Sequence, residues 1–317
     1  MFTAALLYIS TYLFGLITFL HLTWLFWKRK YSFIPHAPNV PWLGSIPYIG
    51  TTAVEFTRAS MLFFKKHDVY ILWIGPTPIM RVACPNYAEG LLKNPATLQK
   101  GHAYFALKPT IGEGLILSYG EKWKQRRAAL NPAFHISLLR NFSDTFEVQA
   151  KHLVEMLKKR ENEVIEMQHL ASLVTLNVIC ATSMGVELNV LGSSGSDYVR
   201  NIKRTNDLIF LRALNPLMEI DFLYRRTSNG KAFYKAVEVL HGFTTGVINE
   251  RIAKRRESID ADRGANEKKR RVLLDTLLDL YQQGCIDIEG IREEIDTFTF
   301  AGRFLIFFVG VFYTLVP

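Results

Sequence analysis

Cysteine is scarce in this sequence: Cys84, Cys180 and Cys285 are the three that 317 residues hold. An odd number at wide spacing excludes a disulfide framework and points to a reducing, cytosol-facing location. The eight histidines are scattered, with no H-E-x-x-H and no paired C-x-x-C, so zinc chemistry has no ligand set. Acidic residues are also short, 29 against 38 basic, which leaves a formal net charge of +9. Such a surplus favours anionic partners, among them membrane lipid or an acidic protein. Nucleic acid is not among the expected partners, because no basic motif interleaved with aromatics and no recognition fold is visible.

Charge is missing altogether from residues 1–27, which contain no Asp, Glu, Lys or Arg. Residues 4–27, AALLYISTYLFGLITFLHLTWLFW, give about 36 Å of helix, enough to cross a hydrocarbon core of about 30 Å. Trp24 and Trp27 suit an interfacial belt, and Lys28-Arg29-Lys30 follow as a basic stop. A cleaved signal peptide would need a basic start and a small-residue cleavage site, and neither is present. The expectation is an uncleaved, single-pass anchor in the endoplasmic reticulum membrane over residues 1–30, with the rest of the chain facing the cytosol. That topology keeps the glycosylation triplet Asn141-Phe142-Ser143 away from the modifying machinery.

Residues 31–50 follow as a Pro-rich hinge, in which Pro35, Pro38, Pro41 and Pro47 remove backbone donors and stiffen the chain. DVYILWIGPTPIMRVACP reads as a hairpin turning at Gly75-Pro76, and Pro85 opens a short helix. Beyond residue 120 the periodicity predicts helices over 120–131, 137–159, 165–184, 197–213, 228–256, 271–283 and 287–302. The run RRESIDADRGANEKKRR at 255–271 is almost devoid of apolar residues and predicts a solvated loop. The fold class is therefore mainly α with a small N-terminal β-sheet, behind one transmembrane helix.

The stretch IGEGLILSYGEKWKQRRAALNPAFH, residues 111–135, carries the most chemistry. Trp123 and Arg127, four apart, stack on one helical face. An indole N–H beside a permanent guanidinium suits a ligand bearing carboxylates. In the late segment IREEIDTFTFAG, residues Ile288, Ile291, Ile295 and Phe298 form an apolar stripe at spacings of three and four.

With the anchor, the basic stop and the Pro-rich hinge, these two strings resemble the cytochrome P450 superfamily, the heme-thiolate monooxygenases, and within it the animal membrane-bound family 4. The resemblance runs from the start of the chain through Gly302. It implies the N-terminal portion of that fold, with residues 51–302 as a partial catalytic domain reaching through the long helix that crosses the heme face. It implies heme as cofactor, with Trp123 and Arg127 on its propionates and the small pair Ala301-Gly302 leaving room for oxygen. The loop from His102 to Leu117 would line the substrate pocket through Thr110, Ile111, Leu115 and Leu117. Leu208, in the stretch reaching to Leu214, and Phe298 would complete it. A lipophilic small molecule, such as a fatty acid, hormone or xenobiotic, would be the substrate. NADPH-cytochrome reductase would be the partner, meeting Lys122, Lys124 and Arg126.

The chain also departs from that pattern. After Gly302 the family continues with an acid and threonines that deliver protons, a general-acid task; here stand Arg303, Phe304, Leu305 and Ile306. Ala301 occupies a place where many family 4 members carry a heme-esterifying Glu. None of the three cysteines lies in an F-x-x-G-x-R-x-C-x-G loop, so an axial cysteine is absent and no residue is assigned as metal ligand or as catalytic. E-x-x-R occurs at Glu55/Arg58, Glu267/Arg270 and Glu289/Arg292, and each reads as coincidence. Residues 303–317 are expected to be an apolar tail foreign to the family. The expected product is a truncated, inactive monooxygenase, or, in another class, a non-enzymatic anchored fragment that competes for the reductase.

Deleting residues 2–30 should move the chain from the carbonate-washed membrane pellet to the supernatant; retention in the pellet would contradict the anchor.

Overall fold

The computed structural model describes residues 2–50, 52–140, 142–188, 197–260 and 271–315. Its helices are α1 (Phe2–Lys30), α2 (Ile46–Ile49), α3 (Ala53–Phe64), α4 (Pro85–Lys93), α5 (Lys108–Ile111), α6 (Gly120–Leu130) and α7 (Ile136–Arg140). They continue with α8 (Ser143–Lys159), α9 (Met167–Ile179), α10 (Asp197–Ala213), α11 (Asp221–Tyr224), α12 (Ser228–Asp260), α13 (Leu273–Gln282) and α14 (Ile288–Leu315). One antiparallel hairpin, β1 (Val69–Ile74) and β2 (Thr77–Val82), pairs Val69 with Val82 through Ile74 with Thr77. The described chain is thus mainly helical with one small sheet, as its periodicity predicts.

Contacts divide the chain into two compact units, one of residues 1–98 and 207–230, the other of 99–206 and 231–317. The stretch 51–302 is distributed over both.

In the first unit, β1 is buried along almost its whole length, with Tyr70 and Trp73 fully enclosed. Its second edge is covered by the Pro-rich segment. Ile71 N–H donates to Pro35 O and Ala37 N–H to Ile71 O, both at 2.8 Å, and Ser45 N–H donates to Trp73 O at 2.7 Å. The sequence predicts a semi-rigid spacer at 31–50; the chain instead uses it as an edge cover, since an uncovered strand would leave unpaired backbone groups. His36 Nδ1 accepts from Trp73 Nε1 at 2.9 Å and ties the same segment to the sheet. Helix α1 carries a stretch, Ser10–Lys30, long and apolar enough to cross a membrane, and almost none of it is buried. Trp24 is the exception, packed with Ile71 and Trp73.

The second unit is built on α14 and α9, which pack on each other more extensively than any other helix pair. Leu173, Leu176, Cys180, Ile248, Leu274, Leu277, Ile291 and Ile295 form its core. The apolar stripe of α14 begins one turn later than its spacing suggests: Ile291 and Ile295 are fully buried, whereas Ile288, at the helix start, is exposed. At the end of α9 the chain widens into a π-turn over Cys180–Met184. Thr182 and Ser183 donate there to Val178 O and Ile179 O, competing with the regular helical ladder.

Two further expectations change. The helix predicted over 137–159 is broken into α7 and α8, and Asn141 of the glycosylation triplet lies outside the described residues. The charged run at 255–271 begins inside α12 rather than in a loop, with 261–270 outside the described residues. Part of the reason is ionic. Arg251 donates to both carboxylate oxygens of Asp275 at 2.9 and 2.8 Å, and Arg255 reaches Asp275 at 3.1 Å and Asp279 at 2.8 Å. These pairs clamp the C-terminal half of α12 to α13. Burial by itself raises the Asp275 carboxyl, but the hydrogen bonds from Arg251, from Val272 N–H and from Arg255 outweigh it and hold the group below its ordinary value.

A depressed carboxylate stabilises the fold above its unfolded value, and that contribution disappears as pH falls through the folded one. Asp275→Ala should therefore cost about 3 kcal/mol in urea unfolding at pH 7, and much less at pH 3. An equal loss at both values would show that packing, not charge, holds this corner.

Candidate functional site

Three faces of α14 meet different neighbours. Ile291 and Ile295 enter the core, and Gly302 meets Ile179 of α9. Gly290, Glu293, Glu294 and Thr297, at spacings of three and four, meet α6 and the 111–115 loop. Arg292, Asp296, Thr299 and Phe300 face α12, α10 and a small cavity.

The second of these faces forms a clamp. Arg126 of α6 donates to Glu294 Oε1 at 2.7 Å, to Glu293 Oε2 at 3.5 Å and to Gly290 O at 3.3 Å. Glu113 N–H donates to Glu293 Oε1 at 2.7 Å, and Leu115 N–H to Glu294 Oε2 at 3.1 Å. Glu294 is completely buried, and burial raises its carboxyl above the ordinary value against the pull of Arg126. The glycines of the loop permit this close approach. Gly112 has φ of +57°, and a Cβ on it would stand 2.5 Å from Glu293 Oε1; a Cβ on Gly114 would collide with Thr297 Oγ1 and lie 2.7 Å from Glu293 O. Outside the clamp, Lys108 and Lys122 both hydrogen-bond Glu113 and hold its carboxyl well below the usual range.

Helix α6 therefore has two seams. Lys122 and Arg126 are turned toward acids of the loop and of α14. This corrects the expectation that Arg126 meets an acidic partner, since a guanidinium that neutralises a buried carboxylate is not available at the surface. Lys124 remains exposed, near Glu121. Trp123 and Arg127 form the next seam: Trp123 is half-buried, and Arg127 is exposed with no side-chain partner among the described residues.

The third face of α14 is polar and buried. Asp296 accepts from Thr244 Oγ1 at 2.7 Å and from Arg292 Nη1 at 2.8 Å, with His241 Nε2 at 3.6 Å. His241 Nε2 lies 2.9 Å from Thr110 O, an acceptor only, so this nitrogen carries the ring proton. Burial lowers the imidazole and keeps it neutral, and burial pushes Asp296 up to about 7 despite Arg292. The pair Glu289/Arg292, read in sequence as coincidence, is a real ion pair with Nε to Oε2 at 3.0 Å, and Arg292 passes its other end to Asp296.

Of the six residues predicted to line a substrate pocket, Thr110 borders the cavity on this third face. Ile111 is fully buried, Leu117 is half-buried, and Leu115 and Phe298 pack against the core, where Phe298 meets the Phe134 ring at 5.4 Å. Leu208 is buried in the first unit. Ala301 is half-buried, and at Gly302 a Cβ would stand 3.0 Å from Ile179 Cγ1, so its smallness serves the approach of α9. Sequence reading did not find Glu293, Glu294, Asp296 or His241. The available signal was three acids within four positions of a helix that also carries the apolar stripe, an arrangement that is rare unless the acids are paired.

The family model for Cytochrome P450 matches residues 35–303. The chain belongs to the cytochrome P450 family. It is 33% identical over 288 residues to "Cytochrome P450 4V2" of Mus musculus, covering 87% of this chain and 55% of that protein. The Homo sapiens protein of the same name is 35% identical over 258 residues, 79% of this chain and 48% of the relative. "Probable cytochrome P450 4p3" of Drosophila melanogaster is 33% identical over 246 residues, 75% of this chain and 48% of the relative. The chain thus spans about half the length of the curated relatives it matches.

Heme is the cofactor of cytochrome P450s, and the residues present fit one part of it. Its anionic propionates match the unpartnered guanidinium of Arg127 beside the half-buried indole of Trp123. An axial thiolate is not matched. Cys180 is sealed in the core, where burial pushes its thiol up and keeps it protonated; Cys285 sits at the α13–α14 turn, its Sγ 3.9 Å from Gln283 O; Cys84 precedes α4 in the first unit.

Arg126→Ala should cost about 3–5 kcal/mol in chemical unfolding at pH 8, because it leaves the Glu294 carboxylate buried without its counter-ion. A raised carboxyl regains stability as it takes up a proton, so the loss should shrink toward pH 5. A pH-independent penalty under 1 kcal/mol would refute the clamp.

Proposed function

We propose that these residues supply the propionate-binding helix and the oxygen-side helix of a heme-thiolate monooxygenase. The chemistry such a heme supplies is insertion of one oxygen atom into a C–H bond of a lipophilic substrate, such as a fatty acid, hormone or xenobiotic. The observation that carries this reading is the division of labour on α6. One seam locks the helix to α14 through Arg126, while Trp123 and Arg127, one position further round, stay open for an anionic ligand. The clamp fixes the helix, and the helix fixes the guanidinium.

None of the 317 residues forms the cysteine loop, and no acid or threonine stands in the four positions after Gly302. By themselves, then, these residues bind the acidic arms of heme without giving iron its thiolate, and they do not turn over substrate. The apolar, almost unburied stretch Ser10–Lys30 supports attachment to the endoplasmic reticulum membrane with the body on the cytosolic side. Electron delivery by NADPH-cytochrome reductase belongs to the complete assembly. The competing reading, a fragment that captures the reductase, has less to stand on, since Arg126 and Lys122 are engaged with acids of this chain.

The test is hemin titration of the full chain in lipid vesicles, followed by reduction and carbon monoxide. Hemin should bind with no thiolate-type Soret shift, and a shifted band would overturn the reading that none of these cysteines ligates iron. Arg127→Ala should weaken hemin at least about tenfold, the equivalent of one charge-assisted hydrogen bond, and leave the dimethyl ester of the same porphyrin unaffected. Equal hemin affinity in both proteins would overturn the propionate assignment.

A further inference from the structure

Among the described residues, ten buried side-chain polar atoms lack a hydrogen-bond partner, and two of them border the same cavity: Thr110 Oγ1 and Thr205 Oγ1. Both residues are more than nine-tenths buried, Thr110 at 6% exposure and Thr205 at 1%. The cavity has a volume of about 30 Å³ and lies wholly within the second unit. Asn206, Asp296 and Thr299 also line it, together with Tyr198, Ile202, Leu240 and Phe300.

Thr205 is unusual for its setting. Thr175, Thr182 and Thr299 also sit within helical turns, and each donates to the carbonyl four residues back. That local bond is the ordinary resting place for a helical threonine hydroxyl. Thr205 does not make it, and its hydroxyl is left at the cavity wall. Thr299, having donated to Ile295 O, still offers lone pairs, and each Asp296 oxygen keeps acceptor capacity beyond its single hydrogen bond.

We infer that Thr110, Thr205, Asp296 and Thr299 form a binding site for a pair of water molecules, which join the two hydroxyls to the Asp296 carboxyl. The size agrees: one water needs about 10–15 Å³ of such volume and two to four polar partners, and this cavity offers room for about two. The alternative is an empty cavity with two buried hydroxyls unsatisfied, which is more costly than ordering water on them. The waters connect four elements, α5 through Thr110, α10 through Thr205, α12 through its Thr244–Asp296 bond, and α14 itself.

The site also gives Asp296 a protic neighbour. The charged and titratable groups facing Asp296 are Arg292 and Glu289 on its own helix and His241 on α12. The contributions of α5 and α10 are uncharged hydroxyls, apart from the Asn206 amide and the Tyr198 phenol. Helix α9 carries only His169, in its first turn, besides Cys180 at its end. When Asp296 ionises, the waters are the polar groups free to reorient toward it.

This inference does not depend on heme. Thr205→Val and Thr110→Val are shape-conserving exchanges that remove a hydroxyl, measured in the full chain in lipid vesicles. If waters are bound, each should lower the melting temperature by about 2–4 °C at pH 8. The loss should be smaller at pH 5 and lose its pH dependence in an Asp296→Asn background. Thr205→Ser, which keeps the hydroxyl, should retain the wild-type pH profile, whereas a purely packing role would leave Val harmless and make Ser, which lacks the methyl group, the damaging variant. Valine variants that are neutral or more stable at both pH values would overturn the proposal, because removing a truly unsatisfied hydroxyl is favourable. If the valine variants do not fold, xenon pressure on the unaltered chain decides. A hydrated polar site excludes the gas, and xenon in this cavity would overturn the inference.

Discussion

The buried Glu294 carboxylate is the constraint on which the rest of the site depends. A charge without access to water must be neutralised or hydrogen-bonded, and Glu294 has both remedies, from Arg126 on α6 and from the Leu115 amide in the preceding loop. Those two bonds come from segments about 170 residues away in sequence, so satisfying one acid fixes a helix and a loop against α14 at once. Glu293 repeats the arrangement one residue earlier with the Glu113 amide. Because α6 is held through Lys122 and Arg126, the orientation of Trp123 and Arg127 is not free; the 100° turn between neighbouring positions puts them on the adjoining seam.

The other polar face of α14 is organised differently. Asp296 is surrounded by one cation, one neutral imidazole and hydroxyls, so burial outweighs the attraction of Arg292 and its carboxyl shares a proton near neutrality. The consequence is a helix with one buried acid met by a guanidinium and an amide, and another met by a guanidinium and a hydroxyl, within three positions. A helix whose polar residues faced water could not separate two carboxylates in this way, because solvent would level them.

Family membership rests on the sequence match, and the contacts show what each residue touches in this chain. The match to Cytochrome P450 extends to residue 303 and covers Trp123, Arg127 and the small pair Ala301-Gly302. The chain spans roughly half of the relatives' length. Gly302 illustrates the need to look at contacts before roles: in this chain its missing side chain is the space filled by Ile179.

Much of the fold was legible from local pattern. Hydrophobic periodicity and proline spacing located the hairpin, α4, α6, α10, α13 and the start of α14 within a few residues, because short-range sterics and amphipathicity act along the chain itself. The apolar stripe at Ile291 and Ile295 and the seam of Trp123 and Arg127 are likewise properties of helical geometry. Edge pairing by residues 35–45, the inward turn of Arg126, the clamp on Glu294 and the joining of Thr110, His241 and Asp296 were not legible. Each brings together residues far apart in sequence, and a charged or hydroxyl side chain reads the same in one dimension whether it meets water or a distant partner. Sequence alone determined which residues could form helices and which faces were apolar; tertiary structure decided which polar groups left water, because only the packed chain supplies the partners that make leaving it affordable.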